Sequence, residues 1–177
     1  MDHGDHVNLL RPADLSAGGT YADFGAGSGA FTLALRELVG PDAAIYAVDK
    51  DRSALNKLES NYRTRFNTTR NMTLLSSDFS RPLDLPLLDG IVMANSLHFF
   101  RNKEKILQHV REFLKPNGAL IIVEYNVDSG NFWVPHPLTF ETFHSLAPRA
   151  GFTEPTLLTK VPSSFLKEFY STVAYRA

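Results

Sequence analysis

Apolar and polar positions along the chain follow two periods, one typical of buried strands and one typical of helices. Short apolar runs with polar flanks predict strands at 21–24, 44–50, 71–76, 89–96 and 120–124. Apolar residues spaced three or four apart predict helices at 6–11, after the first two strands, and at 102–114. The Pro116 and Gly118 pair is expected to stop the last of these helices before the fifth strand begins.

Beyond residue 126 this alternation of strand and helix changes. A loop rich in Gly and Pro leads to a predicted helix at 139–150, whose last turn Pro148 is expected to interrupt. Strands are predicted at 156–161 and 169–175, and the link between them is too short for a crossover helix, so an antiparallel hairpin is expected. The pattern predicts a doubly wound, mostly parallel seven-stranded α/β sheet with an antiparallel last strand.

Composition and charge narrow the class of protein. A chain of 177 residues with 44% apolar and 21% charged residues predicts one soluble domain over 1–177, with residues 1–18 as an N-terminal helix and lead-in. The absence of cysteine excludes disulfides, and the N-terminus lacks a secretory pattern, so a cytoplasmic location is expected. A net charge of −1 gives no signal for nucleic acid or an anionic membrane.

Three glycines occupy the turn between the first strand and the helix that follows it. Gly25, Gly27 and Gly29 stand at the position where open α/β sheets bind ligands. Glycine allows a sharp turn and a close approach of ligand to main chain, and the next helix offers free N–H groups to an anion. The same residues satisfy the fingerprint of dinucleotide enzymes, with Ala30 as its last member, so the turn alone does not select a ligand.

Carboxylates at the ends of the first three strands indicate which ligand the glycine turn binds. Asp23 suits a ligand with an ammonium group and is a poor neighbour for a pyrophosphate. Asp49 is placed to accept hydrogen bonds from both hydroxyls of a ribose. Asp78 can accept from an exocyclic adenine amino group, while Phe79 offers a backbone N–H and an aromatic wall. Together these positions describe ammonium, ribose and adenine sites along one sheet edge.

These motifs resemble those of the class I S-adenosylmethionine-dependent methyltransferases. The resemblance runs from about residue 20 to 177 and rests on DFGAGSG, VDKD, SDF, MANSLHFF and LKPNGALIIVE. It implies a Rossmann-like methyltransferase fold, S-adenosyl-L-methionine as cofactor and transfer of its methyl group to an acceptor. By position, the implied cofactor residues are Asp23, Gly25, Ala26, Gly27 and Gly29 for the methionine part, Asp49 for the ribose, Lys50, Asp78 and Phe79 for the adenine, and Asn95 near the methionine amino group or the methyl.

The acceptor is less well defined by the sequence. The chain lacks the Asn-Pro-Pro-aromatic motif of enzymes that methylate exocyclic amines, and no separate recognition domain precedes the first strand. A small-molecule acceptor, or one presented by a partner, is therefore expected. His98 is the candidate catalytic base for a hydroxyl nucleophile, with a loop-capping role as the alternative. Trp133, beside Phe132, is either an aromatic wall over the acceptor or core packing.

Other chemistries stay open on the sequence alone. No metal site is expected, because His3 and His6 with the neighbouring Asp2 and Asp5 lack a third cluster of ligands. A nicotinamide-dependent oxidoreductase would share the glycine turn and Asp49 but would not need Asp23 or the SDF motif. A non-catalytic module that binds S-adenosylmethionine is the other alternative. The acceptor atom and the oligomeric state are left undetermined.

Overall fold

The computed structural model describes all 177 residues, and its strands form one sheet. In chain order the strands are β1 Thr20–Phe24, β2 Ala44–Asp49, β3 Met72–Ser76, β4 Leu88–Ala94, β5 Leu114–Tyr125, β6 Thr156–Pro162 and β7 Glu168–Tyr175. The helices are α1 His3–Leu10, α2 Ala30–Val39, α3 Arg52–Phe66, α4 Lys103–Arg111 and α5 Phe140–Leu146. None of these helices is long and apolar enough to cross a membrane.

The strand order is β3-β2-β1-β4-β5-β7-β6, and β7 alone runs in the direction opposite to the other six strands. The predicted sheet, including its antiparallel last strand, is therefore confirmed. The order reverses between β1 and β4, which is the point where ligands bind in open α/β sheets. Because β6 runs parallel to β5, its last residue, Pro162, lies at the same edge of the sheet as the carboxyl ends of β1 and β4.

Helices cover both faces of the sheet and bury its apolar side chains. On β1, Tyr21 packs with residues of α1 and α2, whereas Ala22 and Phe24 pack with residues of α4 and α5. On β2, Ala47 packs with α3 on the same face as α2. The two central strands β4 and β5 are covered on both sides, which explains their continuous apolar runs.

The fifth strand begins earlier than the sequence predicts. Leu88 pairs with Leu114, and Gly90 pairs with Ala119. The residues of β5 between Leu114 and Ala119 therefore bulge out of the ladder. Pro116 has no N–H to donate, and Asn117 adopts a left-handed φ of 61°. The C-terminal segment closes the bulge, because the N–H groups of Asn117 and Arg176 donate to Arg176 and Gly118 carbonyls. The Pro and Gly signals mark a bulge within β5, and α4 already ends at Arg111.

The first helix also begins earlier than predicted, at His3. The Asp2 carboxylate accepts from the Asp5 N–H at 3.0 Å, and the Asp5 carboxylate accepts from the Asp2 N–H at 2.8 Å. This reciprocal capping box satisfies free N–H groups of the first turn. The two aspartates are thus engaged in starting α1.

We expect Gly29→Ala to lower the free energy of unfolding by about 2–4 kcal/mol. Gly29 has a φ of 95°, and a methyl group there would lie 2.5 Å from Cγ of Leu58. Gly40, at the other end of α2, has a φ of 83° and a ψ of 175°, which are strained for any other residue, but it has open space around it, so Gly40→Ala should cost only the backbone strain of about 1–3 kcal/mol. Denaturant unfolding measures both, and equal losses would show that the Leu58 contact is relieved without cost.

Candidate functional site

Two adjoining cavities lie at the carboxyl edge of the sheet, where the strand order reverses. The first has a volume of about 280 Å³ and the second of about 190 Å³. Gly25 after β1 and Asn95 after β4 line both of them. The first is also lined by Asp49, Lys50, Phe79, Ser96, Phe99 and Phe100, and the second by Met1, His6, Asp23, Ala26, Ser28, Ala30, Phe31 and Ala94. Together the cavities have the size of a small-molecule site.

Of the sequence-predicted site residues, the cavities bring together seven. Asp49, Lys50 and Phe79 line the first, Asp23 and Ala26 the second, and Gly25 and Asn95 both, whereas Gly27, Gly29, Asp78 and His98 line neither. Ser96, Phe99 and Phe100 were not among the predicted cofactor residues, but they fall in the segment 96–100 that the sequence predicts to contact the acceptor. Their signal was their position, because they directly follow the end of β4.

The glycine turn is fixed to the neighbouring strand and to the loop after β4. The N–H groups of Gly25 and Ala26 donate to the Val48 carbonyl at 2.8 and 3.1 Å. A methyl group on Gly25 would lie 2.5 Å from Cβ of Ser96. Only a residue without a side chain permits this close approach of the two loops that separate the cavities.

Asp49 joins the end of β2 to the glycine turn. Its Oδ2 accepts from the Gly27 N–H at 2.8 Å, and its Oδ1 accepts from the Asp51 N–H at 2.9 Å. A carboxylate has about four acceptor positions, so each oxygen can accept one more hydrogen bond from a ligand in the first cavity. Asp49 can therefore shape the turn and bind a pair of hydroxyls at once.

Asp78 and Lys50 form an ion pair beside the first cavity. The Asp78 Oδ2 lies 3.1 Å from Lys50 Nζ, and its Oδ1 accepts from the N–H and hydroxyl of Ser80 at 2.9 and 2.6 Å. Burial raises the pKa of Asp78, but the Ser80 hydrogen bonds and the Lys50 ammonium outweigh it and hold the pKa below its usual value. Phe79 stacks on Phe24 at 5.4 Å and lines the cavity as a flat apolar wall.

Asp23 is a carboxylic acid in an almost fully buried position. It is 1% exposed, and its Oδ2 accepts from the Thr32 hydroxyl at 2.6 Å. Burial, followed by the charge of Asp49, raises its pKa from 3.8 to about 7 against the lowering effect of the Thr32 hydrogen bonds. An ammonium group in the second cavity would stabilise the ionised form.

Two buried polar atoms between the cavities have no partner within the chain. They are Oδ1 of Asn95 and Oγ of Ser96. Asn95 also has a left-handed φ of 53°, a conformation that costs free energy for a residue other than glycine. Buried polar groups are nearly always hydrogen-bonded, so these atoms are available to a ligand that spans both cavities.

His98 lies in the turn after β4 and is held by a residue that sequence reasoning missed. Its Nδ1 lies 2.7 Å from Oε2 of Glu124, which is fully buried on β5. The other oxygen, Oε1, accepts from the N–H groups of Leu97 and His98 at 3.0 and 3.1 Å. The sequence signal for Glu124 was a lone carboxylate within the apolar run of β5. His98 Nε2 makes no hydrogen bond within the chain.

The remaining residues considered in the sequence analysis are two N-terminal histidines and two aromatic residues of the loop after β5. His6 lines the second cavity, whereas His3 points away and pairs with Glu37 at 2.7 Å. Phe132 and Trp133 are 88% and 70% exposed on the loop after β5. The alternative that Trp133 packs in the core is therefore wrong.

Comparison with known proteins agrees with this geometry. A family model described as a methyltransferase domain matches residues 15–148. The ubiquinone/menaquinone biosynthesis C-methyltransferase of Blochmanniella pennsylvanica is 28% identical over 131 residues, which are 73% of this chain and 50% of that protein. The chain thus spans about half the length of this relative.

Solved structures share the whole fold at low sequence identity. The YcgJ protein from Bacillus subtilis superposes with a TM-score of 0.80 at 11% identity, over 99% of both chains. A SAM-dependent methyltransferase from Aquifex aeolicus superposes with a TM-score of 0.72 at 20% identity, over 100% of both chains.

The raised pKa of Asp23 gives a pH-dependent stability. Because the native state holds this proton more tightly than the unfolded state, the contribution is present at low pH and is lost as the pH rises through about 7. Asp23→Asn cannot ionise and keeps an acceptor for Thr32. Its free energy of unfolding, relative to wild type, should rise by about 2–3 kcal/mol between pH 5 and pH 8. Urea unfolding at both pH values measures this, and a constant difference would contradict the raised pKa.

Proposed function

The chain belongs to the class I S-adenosylmethionine-dependent methyltransferases, and from that premise we propose that it transfers a methyl group to a hydroxyl of a small-molecule acceptor. The observation that carries the methyl transfer is the pair of joined cavities with Asp23 and Asp49 at the ends of neighbouring strands. The observation that carries the choice of a hydroxyl is the buried pair of His98 and Glu124.

The residues of the cleft fit S-adenosylmethionine, the cofactor of this family. Asp23 in the second cavity offers a carboxylate to the ammonium of the methionine part. Asp49 in the first offers two oxygens to the ribose hydroxyls, and Phe79 with the Lys50 stem offers a wall to the adenine. Asn95 lies between them, where its unpaired Oδ1 would meet the methionine end.

A nicotinamide dinucleotide fits the same cleft poorly. Its pyrophosphate would lie at the glycine turn, close to Asp23 and to the Asp49 carboxylate that already accepts the Gly27 N–H. The Asp49 carboxylate and a pyrophosphate carry like charges and would repel each other, and the Gly27 N–H that an anion would need is already donated to Asp49. The oxidoreductase alternative is therefore not favoured.

When it is bound, the cofactor supplies a methyl group on a sulfonium, which is an activated leaving group. The protein then needs to align the acceptor and exclude water. Met1, His6 and Phe31 line the second cavity. The loop that carries Ser96 and Phe99 lines the first cavity and is the nearest support for an acceptor.

His98 is proposed to take the proton of the acceptor hydroxyl at Nε2. Glu124 accepts from the Nδ1–H, which fixes the ring orientation and leaves Nε2 as the free lone pair. The same carboxylate stabilises the imidazolium that forms once the proton is taken. Glu124 therefore acts as a positioning residue through His98.

Calorimetry should detect binding of S-adenosylmethionine and of its demethylated product, and no binding of NAD or NADP at comparable concentrations. Asp49→Ala should weaken cofactor binding by roughly 1.5–3 kcal/mol, or about ten- to a hundredfold, through loss of hydrogen bonds to a charged group.

Asp51→Ala is the matched control for this change. Asp51 lies two residues further on and caps α3 through the N–H groups of Ser53 and Ala54, so its loss should lower stability rather than cofactor affinity. Tighter binding of NAD than of S-adenosylmethionine would overturn the assignment. An unchanged affinity in folded Asp49→Ala would overturn the ribose contact.

His98→Gln should lower the rate of methyl transfer by about 10²–10⁴-fold and remove the loss of activity at low pH that a histidine base produces. The assay uses methyl-labelled S-adenosylmethionine with a fractionated extract, followed by identification of the labelled molecule. Glu124→Gln should also lower the rate strongly, because its amide oxygen can still accept from the Leu97 and His98 N–H groups but its NH2 group would face Nδ1 and leave the proton on Nε2.

The matched control is His144→Gln, since His144 pairs with Glu154 on the surface of the molecule. It should leave the rate and its pH profile unchanged. A folded His98→Gln protein with the wild-type pH profile would show that His98 only supports the turn.

A further inference from the structure

The exposed apolar side chains of this protein are concentrated at the edge of the sheet that holds the cavities. Six large apolar side chains are more than half exposed, and five of them lie at this edge: Met1, Phe99, Phe132, Trp133 and Phe165. The sixth, Leu87, precedes β4 and lies at the opposite edge. Such a concentration around the mouth of a cleft marks a binding surface.

Four of these side chains are aromatic and come from three separate loops; we refer to them as the aromatic rim. Phe99 follows β4, Phe132 and Trp133 follow β5, and Phe165 lies between β6 and β7. The hairpin of β6 and β7 reaches this edge because β6 runs parallel to β5. No pattern in one segment of the sequence would assemble the rim, which arises from the topology.

The aromatic rim is continuous with the turn that carries His98. The ring centroid of His98 lies 4.4 Å from that of Phe99, which lines the first cavity, and 6.5 Å from that of Tyr125. Tyr125 in turn lies 5.9 Å from Phe165. The loop of Trp133 is tied to the same turn, because the His136 N–H donates to the His98 carbonyl at 3.0 Å.

The exposed position of Trp133 is built into its loop. The Asn131 side chain accepts from the N–H groups of Trp133 and Val134 at 2.8 and 2.9 Å, and the Asn131 N–H donates to the Val134 carbonyl. Val134 is buried beneath this turn. The two aromatic side chains before it are therefore held outward by an ordered turn.

Several charged side chains at this edge are already engaged, whereas Arg101 and Lys167 are exposed and make no ion pair within the chain. Lys103 Nζ donates to the Phe100 carbonyl at 2.9 Å, and Asp128 accepts from Thr139. Glu168 accepts from Asn126 at 2.6 Å and pairs with Lys160. The surface thus offers aromatic faces to a ligand, together with the two free cations of Arg101 and Lys167.

We propose that the aromatic rim binds the methyl acceptor and that the acceptor is an apolar ring compound bearing a hydroxyl directed at His98. This inference rests on the proposed function for the identity of the site. Aromatic side chains bind flat apolar ligands through large contact areas, while a single polar group fixes the orientation of the ligand.

The chain contains a single tryptophan, Trp133, so its fluorescence reports on the aromatic rim alone. The wild-type protein with S-adenosylhomocysteine is titrated with 4-tert-butylphenol and, separately, with 4-hydroxybenzenesulfonate, which has the same ring and hydroxyl but a charge in place of the apolar group. We expect a saturable blue shift with the first and at least tenfold weaker binding of the second.

Phe165→Ala should weaken binding of 4-tert-butylphenol at least fivefold. Leu87→Ala is its matched control, because both side chains are 51% exposed but lie at opposite edges of the sheet, and it should leave binding within twofold of wild type. Equal binding of the sulfonate, equal effects of the two substitutions, or no saturable shift would each overturn the inference.

Two further experiments distinguish this inference from the proposed function on which it rests and from binding to a membrane surface. Cofactor binding by calorimetry without phenol binding overturns the inference alone, whereas phenol binding without cofactor binding overturns the proposed function. Sedimentation with phosphatidylcholine vesicles tests a lipid surface, and vesicle binding that Phe132→Ala abolishes, in a protein without phenol binding, would assign the rim to a membrane instead.

Discussion

The buried carboxylate of Glu124 is the constraint on which the arrangement of the site depends. A charge with no exposure to water costs several kcal/mol unless it is fully hydrogen-bonded. Glu124 meets this requirement with the Leu97 and His98 N–H groups and the His98 ring, all from the turn after β4. The turn is thereby fixed against β5, and with it the strained Asn95, which leads into it, and the buried Ser96.

A second carboxylate, Asp49, plays the corresponding part at the glycine turn beside the first cavity. Asp49 accepts from Gly27 across the sheet edge, so the glycine turn and the end of β2 hold one shape together. The Gly25 main chain then meets Ser96 at a distance that excludes any side chain. The two carboxylates thus set the two walls of one cleft, and neither wall depends on a long side chain that would have to be ordered by a ligand.

The sequence was informative where structure follows local pattern and less so where partners are distant. The strands of the sheet and the acidic residues at their ends were predicted, because buried parallel strands are continuous apolar runs and their carboxyl ends share an edge. The predicted start of β5 was wrong because Pro116 and Gly118 are compatible both with a bulge in a strand and with the end of a helix. Glu124 was missed because its partners lie 26 and 27 residues away, and the exposure of Trp133 depends on a turn that periodicity does not encode.

The sheet edge has one side fixed by the strands and another side formed by loops, and this difference affects the energetics of the proposed reaction. In the proposed function, polar groups fixed by the sheet face the cofactor, which is the same for every acceptor. The proposed acceptor side consists of loops that can vary without disturbing the sheet. Aromatic surface left exposed there regains about 25 cal/mol per Å² only when something apolar covers it. An acceptor that covers this surface would also displace water from the region of His98, where water would otherwise compete for the proton and weaken the hydrogen bond to Glu124. Binding of the acceptor and drying of the site would then be the same event.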